Sequence, residues 1–200
     1  MSAEGDIGNG GEHVARDGHR TRPVEPDPEP DPPTLCVDVV RLGGDWAAIE
    51  PVEVLVGAIV GALSQEIELG GETVRATLAL STDAHVRDLN RMHRGKDAST
   101  NVLSFPAPAI ARGPGADDFL GDVVIASETL SREAAHETKP LAHHFQHLVL
   151  HGLLHLAGFD HESDEDAAEM EDVEVAVLRR LGVPDPYRQL DNEEQTPGNG

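Results

Sequence analysis

HLVLHGLLHLAGFDH, residues 147–161, sets His151, His155 and His161 at the spacing H-x-x-x-H-x-x-G-x-x-H. Residues four apart on an α-helix are offset by only about 40° around its axis, so the imidazoles of His151 and His155 reach one point. Leu153 and Leu154 between them favour the helix. Gly158 then takes the positive φ that ends it, and the turn returns His161 as a third ligand. A His pair at this spacing is a common accident. The third His beyond a helix-stopping Gly is what makes the stretch a metal-site prediction. Three His leave the fourth tetrahedral position open, the pattern of a catalytic zinc rather than a closed structural one. Zinc peptidases with this spacing carry Glu directly after the first His, where it acts as general base. Here that position is Gly152. The spacing therefore predicts a hydrolytic metal site, and the missing carboxylate argues against peptide cleavage.

The chain around this helix has 200 residues, enough for one domain with tails. Its single cysteine, Cys36, excludes an internal disulfide and fits a reducing compartment. The first twenty residues lack the apolar core of a signal peptide. The longest apolar run, Val54 to Leu63, contains two glycines and is too short to span a bilayer. The expectation is a soluble, cytoplasmic protein with no membrane partner. The formal net charge is −22, with 37 acidic against 15 basic residues. Such a surface repels nucleic acid at long range, so any contact with phosphate must be local.

Residues 1–34, ending in PVEPDPEPDPP, are predicted to be a disordered acidic, Pro-rich extension. Residues 35–185 read as a single domain and 186–200 as a flexible tail. Within the domain, strands are expected at LCVDVVR, GETVRATLALS after the Gly70–Gly71 turn, TNVLSFPAPA and LGDVVIAS, with a flexible loop at 107–117. Helices are expected from Pro51 to about Leu69, over DAHVRDLNRMHR, over SETLSREAAHET, from Pro140 through the metal motif, and from Asp164 to Gly182. On the last helix Met170, Val173, Val175, Val177 and Leu178 are the expected core contacts. His143 and His144 read as exposed. His147, one turn before His151, suits a supporting contact, an RNA contact or an ordinary surface position. Asp122, near the start of the fourth strand, suits a turn or strand-end position more than a catalytic one. Asp160, beside His161, suits either orienting a ligand or packing at the helix exit. Arg87, Arg91, Arg94 and Lys96 fall within ten residues; such a run is ordinarily a solvated helix face, but in a chain with few cations it points to a phosphate contact. Arg94, before Gly95, stands at a helix exit from which a side chain can enter a cleft.

LNRMHRGKDASTNVLSFP (89–106), LGDVVIA (120–126) and HGLLHLAGFDH (151–161), followed by an acidic helix containing EMEDVE, together resemble the YbeY family of endoribonucleases, the rRNA maturation factors. The resemblance runs over about 35–185. Modest departures from the family pattern fall at His93, Asn101 and Phe159, and none of them is a ligand. The resemblance implies an α+β fold with α/β-type layers: a small mixed four-stranded sheet packed with about five helices, one of them a zincin-like metal-site helix. It implies one Zn2+ per chain on His151, His155 and His161, with Arg94 as the arginine important for activity. The implied activity is single-strand-specific endoribonuclease cleavage in rRNA processing, notably at the 3′ end of the small-subunit RNA, and in ribosome quality control. The implied partners are single-stranded rRNA and the small ribosomal subunit, with a ribosomal protein or an assembly GTPase beside them. Two other readings stay open on sequence: a non-catalytic, zinc-pinned ribosome assembly factor and, further off, a metallopeptidase.

Overall fold

The structure is a computed structural model that describes residues 34–69, 73–108 and 118–188. The expected extension before Thr34, the Gly70–Gly71 turn, the loop from residue 109 and the tail after residue 188 lie outside the described residues. In chain order the elements are β1 (Thr34–Arg41), a short 3-10 turn (Ala47–Ile49), α1 (Val52–Leu63), β2 (Thr73–Ser81), α2 (Asp83–Arg94), β3 (Val102–Pro106), β4 (Asp118–Ala126), α3 (Ser127–His136), α4 (Leu141–Ala157) and α5 (Asp164–Arg180). The sheet runs β1-β2-β4-β3. β1, β2 and β4 are parallel, and β3 joins β4 antiparallel. The described residues therefore form the α+β fold, with a mixed four-stranded sheet and five α-helices. Among the described residues no helix is long and apolar enough to cross a membrane.

Both faces of the sheet are covered, which explains why β2 is more buried than its alternation suggests. Leu78, Leu80, Val123 and Ile125 face a large core shared with α1, α4 and α5. Ala79, Val124 and Ala126 turn the other way, against Val86 of α2 and Leu103. A central parallel strand between two helical layers has no solvent side for polar residues to occupy. The helix α1 stops at Leu63, six residues short of the expected Leu69. There Ser64 Oγ donates to Val60 O at 2.9 Å and Gln65 Nε2 to Gly61 O at 3.1 Å. Polar side chains that cap the last carbonyls compete with further helix.

The helix α4 lies at the centre. His143, His147, His151 and His155, spaced by four, form its half-buried stripe; apart from its first two residues and Ala157, the rest of α4 is buried. His144, expected to be exposed, is buried, with Nε2 3.0 Å from Glu133 Oε2 on α3. One residue of helix is a 100° rotation, enough to carry it off the stripe and against α3.

The helix rests closely on the sheet at Gly152. A Cβ there would lie 2.6 and 2.9 Å from the two methyls of Val123 and 3.3 Å from Ser104 Oγ. Val123 is fully buried and, being β-branched, stiff. This contact is why the position after His151 carries no carboxylate: no side chain fits. Gly152→Ala is expected to destabilise the fold by about 1–3 kcal/mol through overpacking, although Ala is the better helix former. Urea denaturation checks this, and a wild-type midpoint would show that the helix can lift off the sheet at no cost.

Arg94 is fixed through the opposite end of its helix. Asp83 Oδ1 accepts from Thr129 N at 2.9 Å and Thr129 Oγ1 at 2.7 Å, while Glu128 accepts from Asp83 N at 2.9 Å. The N-termini of α2 and α3 thus cap each other. Thr82 completes the cap of α2.

Candidate metal centre

The site forms where α4 ends. Gly158 adopts φ +105°, and Phe159 N returns to Leu154 O at 3.0 Å. The reversal places the Phe159 carbonyl 3.1 Å from His155 Nδ1 and carries His161 back over the helix. The nitrogens that His151, His155 and His161 offer all lie within 4.8 Å of one another. The ring centroids of His151 and His155 are 4.6 Å apart, and those of His155 and His161 are 5.0 Å apart.

The hydrogen-bond partners assign the tautomers of two of these rings. A carbonyl only accepts, so His155 Nδ1 carries a proton and Nε2 a lone pair. His151 Nδ1 lies 2.8 Å from Glu174 Oε1, a carboxylate oxygen that only accepts, so this nitrogen too carries a proton, and the neutral ring presents Nε2 as a lone pair. The two Nε2 atoms face each other at 3.1 Å. With both rings neutral, two lone pairs face each other at that distance, and a cation held between them would convert their repulsion into ligation. Burial, reinforced by His151, pushes the His155 imidazole below its usual value. That favours the neutral form a metal ligand needs. The donor set therefore fits a divalent metal held by imidazole nitrogen, with His161 on the solvent side.

Glu174, on α5, is fully buried. Besides His151, it accepts from His147 Nε2 at 3.1 Å and from the Tyr187 hydroxyl. Burial pushes its carboxyl up, but these hydrogen bonds outweigh that effect and hold it at about 2. Burial and the Glu174 charge push the Tyr187 phenol well above its ordinary value, so it keeps its proton. Glu174 is absent from the functional residues suggested by the sequence. The available signal was its helical position: Met170, Glu174, Val177 and Leu178 share the buried face of α5, and an acid on an apolar stripe requires a partner. Of the three possibilities for His147, the structure favours the supporting one, since it shares Glu174 with His151.

Arg94 enters the same cleft, a cavity of about 750 Å³ lined also by Asn101, Ser104, Phe159 and the three histidines. Its Nη2 lies 3.4 Å from Ser104 O. Two others of the basic cluster are engaged elsewhere: Arg87 is paired with Asp97 at 2.7 and 2.9 Å, and Arg91 with Asp88 at 3.0 Å. Asp122 sits within β4 opposite Thr77 and Phe105 rather than at a strand end. Asp160 lines the cleft and accepts from His161 N at 2.8 Å, so it braces the backbone of the third His.

A mixed sheet, a central helix whose polar stripe leads to three converging imidazoles, and an arginine across an open cleft define an α+β protein whose three-histidine cluster could hold a metal ion. The family model described as Endoribonuclease YbeY matches residues 47–182, and the chain belongs to that family. It is 44% identical over 155 residues to the endoribonuclease YbeY of Rhodopseudomonas palustris, covering 77% of this chain and 82% of that one. It is 43% identical over 159 residues to that of Nitrobacter hamburgensis, covering 78% and 84%. The solution structure of TM1509 from Thermotoga maritima superposes with a TM-score of 0.49 at 21% identity, over 77% of this chain and 100% of that one.

Proposed function

We propose that this chain is a zinc-dependent, single-strand-specific endoribonuclease of the cytoplasm. In this reading it acts on ribosomal RNA, in maturation of the small-subunit 3′ end and in ribosome quality control. The observation that carries the reading is the placement of Arg94 and the three histidines around one cleft, in a chain whose relatives are named endoribonucleases.

His151, His155 and His161 are the metal ligands in this reading. Zinc suits three imidazole nitrogens with a position left open, and when bound it supplies Lewis acidity toward a phosphodiester and its attacking oxygen. The chain's own groups do the rest. The Glu174 carboxylate and the Phe159 carbonyl hold protons on the Nδ1 atoms of His151 and His155, which keeps both Nε2 atoms free. The Arg94 guanidinium binds phosphate oxygens in a fixed fork and stabilises the charge that develops on them. With His151 and His155 half-buried within the cleft, the site suits a strand that can bend into it better than a rigid A-form duplex. With a net charge of −22, the chain has little long-range attraction for RNA. A protein surface on the small ribosomal subunit, from a ribosomal protein or an assembly GTPase, offsets this by presenting the strand. The close packing at Gly152 counts against a peptidase, since the general base of that chemistry has no place to stand.

The test is cleavage of an rRNA 3′ segment by the zinc-loaded protein, as a single strand and annealed to its complement. Cleavage of the single strand alone, lost on chelation and restored by zinc, is the expected result. Absence of cleavage by fully loaded protein would overturn the reading. The same products identify the attacking group, because a 2′,3′-cyclic phosphate end excludes water.

A further inference from the structure

We propose that Tyr187 and His147 are positioning residues for the metal, acting through the buried carboxylate of Glu174. This rests on the reading that the three histidines hold zinc. Glu174 has two oxygens and no solvent. Oε1 takes the Nδ1–H of His151 at 2.8 Å. Oε2 is held by His147 at 3.1 Å and by the Tyr187 hydroxyl. A buried carboxylate oxygen left without donors is costly, so the group would rotate or draw in water. Either movement releases the His151 Nδ1–H, and with it the tautomer and ring angle that keep Nε2 on the metal. The two residues that hold Oε2 therefore set the orientation of Oε1.

The segment that delivers Tyr187 is itself anchored. Val183, just beyond α5, is buried, and its N–H donates to Leu178 O at 2.9 Å. Pro184 and Pro186 restrict the chain between Val183 and Tyr187, and Tyr187 N donates to Asp185 Oδ1 at 2.9 Å. The Tyr187 ring stands edge-on to His147, with centroids 5.8 Å apart. The hydroxyl can only donate to Glu174, because an ionised carboxylate has no proton to give. A carboxylate on the far nitrogen of a ligand His raises the basicity of the near one. Loss of such outer partners typically weakens metal binding by about 10–100-fold. The residues after α5 thus belong to the metal site, although they touch no ligand directly.

The experiment measures zinc affinity by competition with a chromophoric chelator, and the visible spectrum of the cobalt-substituted protein, for wild type, Tyr187→Phe and Glu174→Gln. Tyr187→Phe removes one oxygen from a partly exposed ring and leaves the core untouched, so it stays informative if Glu174→Gln fails to fold. About tenfold weaker zinc binding by Tyr187→Phe, with an altered cobalt spectrum, is expected. A purely structural role would shift the melting temperature and leave both readouts in place. Wild-type protein that binds zinc tightly, together with Tyr187→Phe within twofold of it and spectrally identical, overturns the proposal and leaves the zinc reading intact. Wild-type protein that binds no metal removes both.

Discussion

His155→Ala is expected to abolish zinc retention and RNA cleavage together while leaving the fold in place. His155 is half-buried on the stripe of α4 that faces the cleft, not among the side chains packed between helix and sheet. Its replacement by the best helix former therefore costs little packing. The loss falls on the site. His155 Nε2 lies 3.1 Å from His151 Nε2, and its Nδ1 ties the ring to the turn that carries His161. Without it, two imidazoles remain and the returning turn loses a tether. Removing a direct ligand should cost more than the roughly 10–100-fold typical of outer partners. Zinc affinity should then fall beyond about 100-fold, and cleavage to background. Chelator competition and a gel assay on the same preparation check this, with circular dichroism to confirm the fold. Wild-type cleavage by a metal-free His155→Ala protein would remove metal from the account.

The second large effect is expected from Arg94→Ala, and here metal content should not change. Among the described residues the hydrogen bond of Arg94 is to Ser104 O at 3.4 Å, not to any of the three proposed ligands, which leaves most of its donors for a phosphate. Loss of a preorganised donor to developing charge costs about 100–1,000-fold in kcat. The fall should appear in kcat more than in KM, because the phosphate is held most tightly when its charge is greatest. Arg94→Lys should recover only part, since an ammonium cannot grip two oxygens at once. Steady-state kinetics on a single-stranded substrate separate the two constants. Full rRNA processing by Arg94→Ala would favour the non-catalytic reading, in which zinc pins an assembly factor.

The parts of this site that were legible in the sequence are those set by local periodicity. His151 and His155 share a stripe because a helix repeats every 3.6 residues, and Gly158 announces the turn that returns His161. Groups brought together from distant segments were not legible. Glu174 lies 23 positions after His151, in a helix so acidic that one more Glu attracts no notice, and only the packing of α5 on α4 shows that this one is buried. The cause of Gly152 is likewise on another element, at Val123 of β4. Within the basic run the helix exit marks Arg94, but nothing local shows that Arg87 turns away. Folding pairs Arg87 with Asp97 around the turn and leaves Arg94 facing the cleft. His144 was misread for a related reason: the stripe is one residue wide, and its neighbour already faces α3. Tyr187 lies in a Pro-rich stretch that resembles a tail until its hydroxyl is seen to reach Glu174.

The most direct test of the three-imidazole claim is X-ray absorption spectroscopy at the zinc edge on protein loaded with one equivalent of metal. The predicted result is a single zinc with three imidazole nitrogens at about 2.0–2.1 Å and one further light atom. A shell of carboxylate oxygens, fewer than three imidazoles, or protein that leaves the added zinc in solution would contradict it.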